Sequence, residues 1–307
     1  MRLICVFALA LVYLLQGCAS SQLRLPSVTD APSGYRQAGK IIWHDLITHT
    51  PAASKRFYHK LFGWEFEDLG LDFGLGRTVN YTLIRNRGEL IGGMVDANLL
   101  GRPNPEQLSQ WLVAMSVDDI ASEVSAALSN GGKVLTPPTD VAERGTIALI
   151  EDDQGAMLAL LQTRDGDPID TEARTGSFLW DEVWTEDVER AAVFYTGLAN
   201  LEADIFVMAN GSGYRHMSSA GAARFGILAT PIEGLSPTWT SYVRVEQPAA
   251  ILAQVTGLGG RVLVPLQDRG EVERVALLAG PSGAGLAIQT WSGQIDIASR
   301  QLRGARD

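Results

Sequence analysis

At 307 residues with 46% hydrophobic side chains, the chain has enough apolar surface for two domains with real cores, which excludes an intrinsically disordered protein. A formal net charge of −10 argues against nucleic acid and anionic lipid headgroups as partners, because an acidic surface repels both. Two cysteines leave no disulfide framework, so the fold must stand on its core.

In chain order, Arg2 is followed by an apolar run from Leu3 to Leu15, shorter than the roughly 20 residues that span a bilayer, and the run reads as an export signal. It ends in Leu15-Gln16-Gly17-Cys18, which resembles a bacterial lipobox. That resemblance implies cleavage before Cys18 and lipidation of its thiol. With Ala19 following rather than an aspartate, it also implies an outer-membrane anchor facing the periplasm. An ordinary signal or membrane anchor with an incidental Cys18 is the alternative. Residues 1–17 are then the signal peptide, and 18–39, polar with two prolines, are the anchor and a tether expected to hold little fixed structure.

The first folded module opens with IIWHDLIT, a strand, and turns at Thr50-Pro51 into a helix. Thr50 offers a side-chain oxygen to the open N–H groups of the first turn, and Pro51 sits where a missing N–H costs nothing. Ala53, Phe57, Tyr58 and Leu61 form one apolar stripe that needs a sheet to cover. Three strands follow, over 65–69, 79–85 and 90–95, separated by turn residues. The second module opens at Trp111, where Val113, Met115 and Val117 alternate with Leu112, Ala114 and Ser116. Asp119 caps a helix running to about Asn130, and KVLTPP, TIALIED and MLALLQT supply three more strands.

Both modules recur. At an offset of 137, the separation of Trp43 and Trp180, Thr48, Phe57, Tyr58 and Leu61 meet Thr185, Phe194, Tyr195 and Leu198. Tyr81, Gly88 and Gly93 meet Tyr214, Gly221 and Gly226 at 133. Trp111, Gly131-Gly132, Pro137 and Gly155-Ala156 meet Trp239, Gly259-Gly260, Pro265 and Gly283-Ala284 at 128. Glycines and a proline in such register mark shared backbone turns. Four βαβββ modules therefore fall into two domains, 40–165 and 176–292, ahead of a polar tail over 293–307.

Four such modules, with WHDL before a helix containing FYHKLFGW, with GGKVLTPP, and with the turns DDQGA and GPSGA, resemble the vicinal oxygen chelate superfamily, which includes glyoxalase I, the bleomycin and fosfomycin resistance proteins and the extradiol dioxygenases. The resemblance covers about residues 40–292. It implies an α+β fold in which curved mixed sheets form two cups. In the enzymes, it further implies a divalent metal held by an early-strand and a late-strand ligand from each module.

Counting back from the helix starts at Thr50, Asp119, Asp187 and Gln247, the early positions hold Trp43, Leu112, Trp180 and Thr240. The late positions after the two turn glycines hold Ala159 and Ala287. Indole, isobutyl and methyl groups donate no electron pair, and a threonine hydroxyl is a feeble ligand. No cofactor is therefore expected, and metal-dependent catalysis of the usual kind is disfavoured.

Under the family register, alternation along the strands points Trp43, Asp45 and Ile47, Ala114 and Ser116, Trp180, Glu182 and Trp184, and Thr240, Tyr242 and Arg244 into the cups. The expected ligand-binding set is Trp43, Asp45, Trp180, Glu182, Trp184, Tyr214, His216, Tyr242 and Arg244: aromatic faces for a planar molecule and charged groups for its polar atoms. The catalytic candidates are Asp45 and Glu182, as two carboxylates sharing a proton, and His216, which shares a strand face with Tyr214. Each has a plainer reading: the tryptophans fill the sheet interior, Arg244 neutralises Glu182, and His44, on the helix-facing side, is a buried and satisfied imidazole.

The expected partners are a small partly aromatic or cationic molecule, and the membrane through the lipid. One alternative is a lyase, isomerase or dioxygenase that holds a metal through other ligands, such as His216 with Asp45 or Glu182. Another is a non-catalytic envelope scaffold with plugged cups.

Overall fold

The computed structural model describes residues 24–72, 78–207, 213–269 and 273–292. The signal peptide, Cys18 and the tail over 293–307 lie outside the described residues. Module one runs β1 (Ile41–Thr48), α1 (Pro51–Phe62), β2 (Glu65–Asp72), β3 (Thr78–Asn86) and β4 (Glu89–Asp96). Module two runs β5 (Gln110–Ser116), α2 (Ile120–Ser129), β6 (Lys133–Asp140), β7 (Gly145–Glu151) and β8 (Met157–Thr163). The second half repeats both. It contains β9 (Phe178–Thr185), α3 (Val188–Thr196), β10 (Glu202–Val207), β11 (Gly213–Ser219) and β12 (Ala222–Ala229), then β13 (Thr238–Arg244), α4 (Pro248–Val255), β14 (Arg261–Arg269), β15 (Glu273–Ala279) and β16 (Gly285–Gln289).

The helix starts are local sequence effects, with one correction. Asp119 and Asp187 accept backbone N–H bonds from the first turns of α2 and α3. Thr50 does not cap α1 with its side chain. Its own N–H instead donates to Thr48 Oγ1 at 3.1 Å, and Thr48 Oγ1 lies 3.0 Å from Ser54 Oγ. The last strand residue thus ties down the helix start, and Pro51 removes one donor that would otherwise need an acceptor.

Each half forms one eight-stranded mixed sheet, in the order β2-β3-β4-β1-β5-β8-β7-β6 and its counterpart β10-β11-β12-β9-β13-β16-β15-β14. β1 pairs parallel with β4 and antiparallel with β5, so consecutive modules join through their first strands. Modules therefore pair within each half to make the sheets.

The cores pair differently. The helix-bearing faces of the two sheets pack against each other, and each core crosses between halves. Phe57, Tyr58, Leu61 and Trp64 of module one are buried with Val243, Val255, Leu278 and Ile288 of module four. Val113, Met115, Ile150 and Leu160 of module two are buried with Phe194, Tyr195, Phe225 and Trp239 of module three. Between these cores, His44 Nε2 lies 2.9 and 3.1 Å from the two carboxylate oxygens of Asp181, which also accepts from Ser241 Oγ at 2.6 Å. The imidazole stacks on Phe178 at 3.7 Å between centroids. His44 and Asp181 stand at equivalent repeat positions, separated by the same 137 residues as Trp43 and Trp180. One repeat position thus supplies both partners of a buried hydrogen bond across the junction of the halves.

Residues 24–39 correct the expectation of a loose tether. The Leu25 N–H donates to the Val141 carbonyl at 3.1 Å, and the Arg144 N–H returns to the Leu25 carbonyl at 3.1 Å. Leu25 and Val28 are buried together with Leu135, Val141 and Leu149 on the concave face of the first sheet. Further along, the Gln37 N–H donates to Asp167 Oδ2 at 2.6 Å. The composition of this segment is polar, but its two apolar side chains meet an apolar mouth distant in sequence, and their burial offsets the cost of ordering the rest.

Candidate functional site

The concave faces of the two sheets point away from the packed helices, so the molecule has two cups on opposite sides. Asp45 lies in the first and Glu182 in the second. This corrects the reading of Asp45 and Glu182 as a proton-sharing pair, and equally that of Asp45 and His216 as ligands to one metal. Repeat positions that match in sequence are separated by the sheet sandwich.

In cup one, Trp43 Nε1 donates to the Tyr81 hydroxyl at 3.1 Å, and that hydroxyl donates to Asp45 Oδ1 at 2.6 Å. Burial holds the Tyr81 pKa well above the usual phenol range against the lowering pull of Arg144, so the hydroxyl remains a donor. The Arg144 guanidinium completes the cluster. It lies 4.5 Å from the Trp43 ring and 5.3 Å from the Tyr81 ring, Nη1 donates to Tyr81 Oη at 3.1 Å, and Asp45 Oδ2 is 3.9 Å away. Arg144 is 1% exposed. Its Nε donates to the Pro26 carbonyl at 3.0 Å, so the segment carrying Leu25 and Val28 closes over it. Trp43 is thereby a wall of a cup filled by the chain itself.

Cup two repeats the first steps. Trp180 Nε1 donates to the Tyr214 hydroxyl at 2.9 Å, and that hydroxyl donates to Glu182 Oε1 at 3.2 Å. Trp184 Nε1 donates to Glu182 Oε2 at 3.2 Å, and the Tyr242 hydroxyl donates to the same oxygen. The His216 imidazole lies parallel to the Trp180 indole, 5.7 Å away. Burial lowers the His216 pKa from its usual 6.5, against a smaller raising pull from Asp204, so the ring is neutral at pH 7. Trp184, Tyr242, Leu277 and Ala287 form an apolar floor. Trp180 and Tyr214 are half-buried.

In both cups a glycine makes the geometry possible. A Cβ at Gly93 would lie 1.9 Å from the Tyr81 oxygen, and one at Gly226 would lie 1.9 Å from the Tyr214 oxygen. The phenols reach their carboxylates because the neighbouring strand carries no side chain there.

Arg244 does not join cup two. Its Nη1 donates to Glu172 Oε1 at 2.8 Å and to the Ala173 carbonyl at 2.6 Å, in the connection between the halves. Alternation carries through β13, with Val243 and Val245 in the helix-facing core and Tyr242 on the concave face, but Arg244 is the last residue of the strand and its guanidinium is held by the connection rather than by Glu182. Arg144 and Leu25 were the residues that sequence reasoning missed. Tyr81 had a usable signal, its alignment with Tyr214 at offset 133. Arg144 precedes β7 and had none beyond being an arginine at the edge of an apolar run.

The divalent metal implied by the fold does not fit the side chains offered. Ala159 pairs with Ala114 and Ala287 with Tyr242 on the cup floors, so both late-strand positions carry methyl groups with no electron pair to give. Trp43 and Trp180 use their ring N–H groups as donors to tyrosine. Among the described residues, no three His, Cys, Asp or Glu side chains converge as a metal set.

The model of the Glyoxalase/Bleomycin resistance protein/Dioxygenase superfamily matches residues 40–160. CFP32 of Mycobacterium bovis, named as a provisional glyoxylase, is 30% identical over 253 residues, spanning 82% of this chain and 94% of that protein. The anthracycline biosynthesis protein DnrV of Streptomyces peucetius is 27% identical over 263 residues, spanning 81% of this chain and 92% of that protein. Among solved structures, the Mn(II)-bound glyoxalase from Novosphingobium aromaticivorans aligns with a TM-score of 0.54 at 12% identity, over 83% of this chain and 82% of that one. This last likeness is one of fold.

Proposed function

The chain belongs to the glyoxalase/bleomycin resistance protein/dioxygenase superfamily, and from that premise we propose that it binds a small planar organic molecule in cup two without a resident metal. The observation that carries this reading is the half-buried Trp180, its indole parallel to the His216 ring and its residue two positions from the buried Glu182. Indole and imidazole faces supply stacking area, and the Glu182 cluster supplies orientation. Cup one has the same beginnings but is filled by Arg144, Leu25 and Val28. That one relative is named for anthracycline biosynthesis agrees with an aromatic ligand class.

The test is a tryptophan-fluorescence titration of the purified protein with planar aromatics of cationic, neutral and anionic charge. Saturable quenching by at least one class, lost in Trp180→Ala, is expected. The absence of any Trp180-dependent binder defeats the reading, and stoichiometric manganese, nickel, zinc or iron in the purified protein defeats its metal-free part.

The same proposal sets the protein on the outer membrane, facing the periplasm, through lipid on Cys18. Its supports are the apolar run from Leu3 to Leu15 and the Leu-Gln-Gly-Cys that ends it. Mass spectrometry of protein recovered from membranes should find acylated Cys18 at the mature amino terminus. A chain that is unprocessed, or that remains membrane-bound as Cys18→Ser, argues against it.

A further inference from the structure

The Arg144 guanidinium in cup one is only partly used. Its Nε donates to the Pro26 carbonyl and its Nη1 to the Tyr81 hydroxyl, whereas Nη2 is buried with no hydrogen-bond partner among the described residues. A charged donor left unbonded in the interior is costly, because it has given up water for nothing. Two fully buried hydroxyls are in the same state, Ser116 Oγ and Thr136 Oγ1. Ser116 pairs with Leu161 and Thr136 with Leu149, and both leucines belong to the apolar lining of cup one, so the hydroxyls share its concave face. At offset 128 the three positions hold Val272, Arg244 and Val264, so this polar set is not a leftover of the repeat. The turn that delivers Arg144 is itself strained, with Ala142 held at a φ of 62°, a conformation alanine adopts only under constraint.

Nε and Nη2 form the edge of a guanidinium that takes both oxygens of a carboxylate. Pro26 gives that edge a single carbonyl oxygen, and so half-fills a fork made for two. Beside it, Leu25 and Val28 occupy the apolar mouth against Leu135, Val141 and Leu149. The segment has the outline of a ligand: an oxygen on the guanidinium and aliphatic groups in the mouth. Trp43 is 1% exposed and already has the guanidinium over its ring, so an aromatic body would gain no indole face here. Asp45 leaves the fork clear, since the approach of its Oδ2 is to Nη1, at 3.9 Å.

We propose that cup one is a second binding site, for a carboxylate with an aliphatic body, which displaces residues 25–28 and takes the Nε–Nη2 edge of Arg144. The docked segment competes with this ligand, so affinity is reduced by the fraction of molecules in which the segment has left. The inference concerns cup one alone and is independent of the reading of cup two.

Octanoate and octanamide form a matched anionic and neutral pair, to be titrated by calorimetry into the full chain and into the full chain carrying Leu25→Ser and Val28→Ser. Octanoate should bind about tenfold more tightly than octanamide, a preference that Arg144→Gln abolishes. Loosening the segment with the two serines should tighten octanoate by about another tenfold. In the full chain, octanoate should speed hydrogen exchange at the Leu25 and Arg144 amides, whose bonds hold the segment down, while the Val141 amide, bonded to the Gly145 carbonyl, keeps its protection. Octanamide binding as tightly as octanoate overturns the inference, as does octanoate binding that leaves the Leu25 amide protected. Failure of octanoate to bind either protein overturns it as well, and none of these results bears on Trp180-dependent binding in cup two. Should Arg144→Gln fail to fold by circular dichroism, Asp45→Asn takes its place. Removing that negative charge beside the guanidinium should tighten octanoate, and binding no tighter than in the parent chain overturns the inference.

Discussion

Trp43, Tyr81 and Asp45 in the first cup, and Trp180, Tyr214 and Glu182 in the second, form the same hydrogen-bonded chain. In one cup the phenol also meets the chain's own guanidinium beneath a docked segment; in the other the carboxylate also accepts from Trp184 and Tyr242. What both cups retain is set by the backbone, since Gly93 and Gly226 leave the only room in which the phenols can reach across. What differs is which group closes the mouth. Duplication kept the frame, and substitutions at its rim made one cup part of the core and left Trp180 and Tyr214 of the other half-buried.

The sharpest way to break this comparison is to empty cup one. Arg144→Ala leaves Asp45 without its cation and a cavity beneath the amino-terminal segment, and should cost about 3–5 kcal/mol in urea unfolding. If Arg144 only decorated the surface, the midpoint would hardly move. Next in size is Leu25→Ala, expected to cost about 2–3 kcal/mol and to raise acrylamide quenching of Trp43 while leaving Trp180 unaffected. Unchanged stability would mean the segment does not seal the cup in solution.

The glycines sharpen the comparison. Gly93→Ala and Gly226→Ala should each cost about 1–3 kcal/mol, because each forces a phenol off its carboxylate. Only Gly226→Ala should also weaken binding of a planar aromatic that quenches Trp180, and equal weakening by both would assign the ligand to both cups.

The smallest effect concerns pH. Burial lowers the His216 pKa in the folded state below its usual 6.5, so the unfolded chain binds the proton more readily. This group therefore makes stability rise with pH from the lowered value up to about 6.5, and lowers it as pH falls through that window. His216→Gln should flatten that part of the stability profile. A profile unchanged by the substitution would place the imidazole in solvent.

Much of the architecture was legible because it is written in local and periodic signals. The offsets of 137, 133 and 128 come from side chains the backbone cannot do without, and alternation put Trp43 and Asp45 on one face of β1 with His44 on the other. Alternation gave no warning at Arg244, which ends β13 and is bonded to Glu172 and Ala173 of the connection between the halves. It had no view of residues 24–39, whose polar composition hides two apolar anchors with distant partners.

By itself the sequence determined the four modules, their strands and helices, and the aromatic and acidic residues on the concave faces of the first strands, because each is a property of one residue or of near neighbours. Only the tertiary structure decided which module shares a core with which, that Asp45 and Glu182 face opposite ways, and that Arg144 and Leu25 close one cup. Those outcomes depend on surfaces more than a hundred residues apart finding complementary shape and charge, as Arg144 does with Pro26 at 118 residues and His44 with Asp181 at 137. No spacing rule along the chain encodes such a meeting.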